Sequence, residues 1–87
     1  MTAQNNTMNT ADFYLSAFLL TQGYNLVRLE ALDNRKLFCF ESNDKIRVIK
    51  NEYYTLQTTV EPNAFKAAIK QLKARIVEFD EGRWHNS

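Results

Sequence analysis

Residues that most sharply mark a function are scarce in this chain: its 87 residues include two glycines, one proline, one cysteine, one tryptophan and one histidine. A single cysteine, Cys39, excludes an internal disulfide. With one histidine beside it, the chain also falls short of the ligands that a zinc centre needs. Gly23 and Gly82 stand apart from one another, so neither belongs to a phosphate-cradling loop. His85 lies in a polar C-terminal stretch where nothing orients an imidazole for proton transfer. The carboxylates are scattered or sit at the ends of elements, where capping and solubility explain them. The expectation is a non-enzymatic chain with no catalytic residue, no metal, no cofactor and no small-molecule substrate.

Long apolar runs are also lacking. The longest, Phe13 to Leu20, is well short of the ~20 residues that a membrane span requires, so no membrane partner is expected. Gln4, Asn5, Asn6 and Thr7 stand where a secretory leader would be basic and then apolar, which predicts a cytoplasmic protein. The glycosylation-like Asn5-Asn6-Thr7 is then a chance match. Neither sign of charge dominates, because eleven basic and ten acidic residues leave a formal charge of +1. That balance neither favours nor excludes nucleic acid.

What is present begins with FYLSAFLL, residues 13–20. At about 100° per residue its apolar side chains cover most of a helix circumference, leaving Asp12 and Ser16 on a narrow polar strip. Such a helix requires burial nearly all round. A chain this small buries only about 60% of its surface on folding. The reading therefore expects a second subunit or another protein on the uncovered side, with Tyr14, Leu15, Phe18 and Leu19 as the interface. The alternative is that the rest of the chain encloses the helix. Helix one is placed at about residues 10–22, capped by Asn9 or Thr10 and ended by Gly23.

Residues 24–32 and 35–41 read as two strands joined at Asp33-Asn34, a pair suited to a tight hairpin. A two-residue loop places Leu29 opposite Phe38 and Val27 opposite Phe40 on an apolar face, with Arg28 opposite Cys39 and Glu30 opposite Leu37 on a mixed one. Ser42 or Asn43 then caps a second helix, in which Ile46, Ile49, Tyr53 and Leu56 recur at helical spacing and Lys45, Arg47 and Lys50 point outward. The β-branched run at 55–60 suits a short third strand or a connector. Pro62 opens a last helix with Phe65, Ile69, Leu72 and Ile76 on one face, a pattern that fades at Glu78. The fold class expected is α+β, with a small antiparallel hairpin or sheet packed against three helices in the order α-β-β-α-(β)-α. One domain spans residues 10–79, with tails at 1–9 and 80–87.

Charge is uneven along this frame. From Pro62 to Val77 there are four basic residues and no acidic one. Lys66, Lys70 and Lys73 stack along one flank of the last helix, and Lys45, Arg47 and Lys50 give the second helix a cluster of its own. Cationic side chains spaced in this way can follow phosphates, supplying affinity without sequence information. Tyr53, Tyr54 and Trp84 are candidates for the aromatic stacking that single strands need. The competing explanation is that outward lysines merely keep amphipathic helices in water. Cys39 has two readings as well, a redox thiol with Arg28 lowering its pKa, or a small residue filling a sheet.

Taken together, Asp12-x-Tyr14-Leu15-x-Ala17-Phe18-Leu19, Gly23-Tyr24, Phe38-x-Phe40, Tyr54 and Val60-x-Pro62-x-x-Phe65-x-x-Ala68-x-x-x-Leu72-Lys73 resemble a family of short uncharacterised domains found in bacteria, including cyanobacteria, and in phages and other mobile elements. The resemblance covers about residues 10–77. Glu61 departs from it, standing before the proline where a shorter Asp or Asn would cap better. The family brings no catalytic residues to transfer. What the resemblance implies is a mobile-element setting, in which small domains bind nucleic acid, a nucleoprotein or another protein. The leading expectation is thus a nucleic-acid-binding module acting through the basic helix faces, and the second is a protein adaptor or inhibitor, homodimeric in one form, acting through helix one.

Overall fold

In a computed structural model, described over residues 7–33, 35–55 and 59–82, the chain forms a three-stranded antiparallel sheet and three helices. In chain order these are β1 (Thr7–Thr10), α1 (Phe13–Thr21), β2 (Leu26–Leu32), β3 (Arg35–Glu41), α2 (Asp44–Tyr54) and α3 (Pro62–Asp80). The α+β class is as expected, but the third strand comes from the N-terminal side. The sheet order is β1-β3-β2. Thr7–Thr10, expected as a tail and the cap of helix one, instead pairs with β3, with Met8 opposite Phe40 and Thr10 opposite Phe38. Its polar letters hid an alternation in which Met8 and Thr10 turn inward and Asn9 outward. Of the run at 55–60, residues 56–58 lie outside the described residues, and Thr59 and Val60 belong to no strand.

The hairpin keeps most of the expected register. Leu29 faces Phe38, Arg28 faces Cys39 and Glu30 faces Leu37, with Leu32 opposite Arg35 closing the turn and Asp33 at φ +55°. The expected pairing of Val27 with Phe40 does not form. A bulge between Leu26 and Arg28 gives Phe40 to Leu26, and Val27 turns out to 42% exposure while Leu26 joins the core. Bulges of this kind twist an edge strand and blunt it as a pairing template.

The core is built around α1. Leu15, Ala17 and Leu19 are fully buried and Phe18 nearly so, together with Leu29, Phe38 and Phe40 of the sheet, Ile46 of α2, and Ala68 and Leu72 of α3. α1 packs on α3, on α2 and on β1. Phe13 meets Phe38 edge-on at 6.2 Å, and Phe18 meets Tyr53 at 5.3 Å. The single polar side chain of the apolar run, Ser16, is buried without cost because its Oγ donates to the Asp12 carbonyl at 2.9 Å. The chain thus covers its own apolar helix. Leu15, Phe18 and Leu19, expected at an interface, are core residues, and of that set Tyr14 alone is exposed, at 58%.

Helix ends follow local chemistry. Asp12, inside the expected helix, is the cap of α1, with Oδ1 accepting from the Leu15 N–H. At the other end Gly23 adopts φ +89°, its N–H bonding to Leu20 O and that of Tyr24 to Leu19 O, the paired bonds of a Schellman stop. Asn43 caps α2 through Ile46 N. Glu61 serves before Pro62 after all, its two carboxylate oxygens taking the N–H groups of Asn63 and Ala64. α3 continues past the expected fade at Glu78, because Phe79 extends the inward row and Asp80 pairs with Lys36 at 3.0 Å.

Candidate nucleic-acid interface

Helical periodicity places Lys66, Lys70 and Lys73 within about 60° of one another around α3, clear of the inward row. All three are exposed, and among the described residues none makes an ion pair. The contrast is with Lys36, held by Asp80, and Arg75, bonded to Glu78 at 3.5 Å. The three lysines therefore present a convex stripe of uncompensated positive charge.

The cluster expected on α2 is divided. Ile46, Ile49 and Tyr53 turn into the core, which sends Lys45 to one side of the helix and Arg47 with Lys50 to the other. Lys45 borders a shallow apolar groove with Tyr24, Asp44, Val48 and Ile49. Arg47 and Lys50 line a different groove, of about 360 Å³, with Asn51, Tyr54 and Met8 of β1. Arg47 is exposed and Lys50 half-buried, and neither is ion-paired among the described residues.

Tyr54 lines this groove beside Arg47 and Lys50. Its hydroxyl donates to Asp12 Oδ2 at 2.7 Å, so one carboxylate both caps α1 and anchors the last residue of α2. Burial, and then the hydrogen bond to Asp12 and its negative charge, push the Tyr54 phenol up to about 12. The residue nonetheless remains 53% exposed. Tyr53, which packs on Phe18, also has its pKa raised, first by burial and then by Asp12. On the α3 side, the exposed Tyr14 ring stacks on Phe65 at 6.4 Å, next in sequence to Lys66. Exposed tyrosines thus lie toward the N-terminal end of α1, Tyr54 reaching from α2 to the α1 cap and Tyr14 resting on α3. Of the other stacking candidates, Tyr53 is engaged in the core, and Trp84, like His85, lies outside the described residues.

Cys39 occupies the centre of β3 with no exposed surface. Burial pushes its thiol pKa up, Glu30 adds to this, and Arg28 opposes it. A buried, protonated thiol is a poor nucleophile, and the residue acts as filling for the sheet. Among the described residues no three His, Cys, Asp or Glu side chains converge as metal ligands, and no helix is long and apolar enough to cross a membrane.

The sequence reading missed Asp12, Asn51 and Met8. Asn51 was recoverable, since Arg47, Lys50, Asn51 and Tyr54 recur at i, i+3, i+4 and i+7. Met8 was not, because its place depends on a strand of four residues in a polar segment.

Residues 5–78 match the model of a family described as a domain of unknown function, DUF5659, and the chain belongs to that family. Neither the curated proteins nor the solved structures gave a match to it.

Proposed function

We propose that this member of the DUF5659 family is a non-enzymatic module that binds nucleic acid or a nucleoprotein through its basic helix faces. The observation that carries the reading is the α3 stripe: Lys66, Lys70 and Lys73, exposed, aligned and free of ion pairs among the described residues, on a segment with no acidic residue from Pro62 to Val77. Lysines that only solubilise a helix commonly alternate with carboxylates at i±4, where each pair adds a few tenths of a kcal/mol. Here that alternation is missing over four turns. The resemblance to short domains of bacteria, phages and mobile elements, a setting in which small domains bind nucleic acid or another protein, is compatible with the same reading.

A phosphate-tracking stripe predicts a strong salt dependence. Each phosphate neutralised contributes about 0.7 to the log–log salt slope on single strands and about 0.9 on duplex. Retention on DNA or RNA should fall steeply between low and physiological salt, and Lys66→Glu/Lys70→Glu/Lys73→Glu should abolish it. Absence of binding at low salt by the intact, folded chain would refute the proposal. A partner recovered with no nuclease-sensitive component would favour an adaptor instead.

A further inference from the structure

We propose that the groove between β1 and α2 binds one nucleotide of a single strand, with Arg47 and Lys50 on its phosphate and the unpaired base laid on Tyr54. This rests on the nucleic-acid reading above and adds to it a preference that the α3 stripe cannot supply.

The groove differs from an ordinary solvated helix flank in four respects. It is walled, because Met8 of β1 faces the α2 side chains and turns a convex surface into a concave one. At about 360 Å³ it lies in the lower range of pockets that take a small ligand. Its lining is cationic, since Arg47 and Lys50 border it and among the described residues no carboxylate does, Asp12 being engaged by the Tyr54 hydroxyl. Finally, its polar groups are of the kinds a nucleotide uses. A guanidinium offers parallel donors to phosphate oxygens and lysine adds a point charge, while the Asn51 amide offers both donors and an acceptor to a base edge.

Tyr54 supplies the stacking face. Because its hydroxyl is committed to Asp12 at 2.7 Å, the ring is held in one orientation while about half of the residue stays open to solvent. A fixed aromatic surface loses little freedom when a base settles on it, and such stacking is worth about 5- to 150-fold in affinity. Every base has a π-face, so the site is tolerant of sequence. A duplex keeps its bases stacked on one another and can offer Tyr54 none without unpairing. The groove therefore selects single strands, whereas the α3 stripe reads charge alone.

The test uses the full chain, fluorescence anisotropy, and two probes at low salt: a labelled oligothymidine and a labelled duplex of equal length. The wild type should bind the single strand several-fold more tightly. Tyr54→Ala should lower single-strand affinity about tenfold and duplex affinity less than twofold, while Tyr54→Phe, which keeps the ring, should retain most of the preference. Asn51→Ala, whose side chain makes no bond within the described fold, should also reduce single-strand binding selectively, guarding against a Tyr54→Ala chain that fails to fold. Equal affinity for both probes, or equal loss on both from these substitutions, would overturn the groove proposal and leave the nucleic-acid reading standing. Failure to bind either probe would overturn both.

Discussion

On α3, Lys66, Lys70 and Lys73 stand exposed on an outward helix face, whereas on α2 Arg47 and Lys50 share a groove with Met8 and Tyr54. The cations are similar and their surroundings opposite. A convex row of lysines can adjust to any phosphate path, which gives affinity and little discrimination. A concave site with a fixed ring and an amide admits some shapes and refuses others. Both rest on α1: α3 packs along it, and α2 is joined to it by the Phe18–Tyr53 contact and the Tyr54–Asp12 hydrogen bond. The apolar helix that looks like an interface in one dimension is the common footing of the two surfaces.

The most damaging way to break the comparison is to remove that footing. Leu15→Ala empties a fully buried site and should cost about 2–5 kcal/mol, a large part of the stability of a small domain. Its urea midpoint should drop sharply and both binding surfaces should vanish together. Tyr14→Ala, one residue away but exposed, should cost about 1 kcal/mol or less. If Leu15→Ala instead unfolded like the wild type and altered only the mass in solution, the placement of Leu15 in the core would be wrong.

Charge removal separates the two regions. Lys66→Ala/Lys70→Ala/Lys73→Ala on α3 should weaken binding and lower the single-strand salt slope by about 2, and Arg47→Ala with Lys50→Ala by about 1.4. Only the α2 pair should also erase discrimination between single strand and duplex. A reversed order of effects would show that the groove, and not the stripe, supplies most of the affinity.

The finest test concerns the bond that fixes the groove's ring. Tyr54→Phe should destabilise the chain by about 1 kcal/mol, with Asp12→Ala costing more because it also removes the α1 cap. The alkaline behaviour has a definite sign. A phenol raised from 10.0 to about 12 is favoured as the neutral form in the fold. Its contribution is complete below pH 10 and is lost as pH rises through about 12. Spectrophotometric titration of tyrosinate in the folded protein should show one late-titrating phenol fewer in Tyr54→Phe than in the wild type, the raised Tyr53 remaining in both.

Much of this molecule could be read along the chain wherever a residue's role depends on near neighbours. Asn43 as a cap, Gly23 as a stop, Pro62 as an opening and the pairings from Glu30–Leu37 to Arg28–Cys39 are set by a few adjacent residues. The departures share a different cause. Val27 was misplaced because one bulged residue shifts all pairing beyond it. Thr7–Thr10 was missed because a short polar edge strand exists only where a central strand offers it hydrogen bonds. Lys45 was grouped with Arg47 and Lys50 because nearness in sequence is not nearness around a helix; at about 100° per residue, Lys45 and Arg47 stand roughly 160° apart.

The linear order of residues by itself determined the class of fold, the helix that must be buried and the unopposed lysines of α3, because periodicity, capping and local charge are short-range properties. Tertiary structure alone decided what covers α1, which cations share a surface, and that a groove exists at all. The reason is physical: burial and concavity require two segments to meet, and here Met8 reaches α2 only after β1 has paired with β3 across some thirty residues of chain.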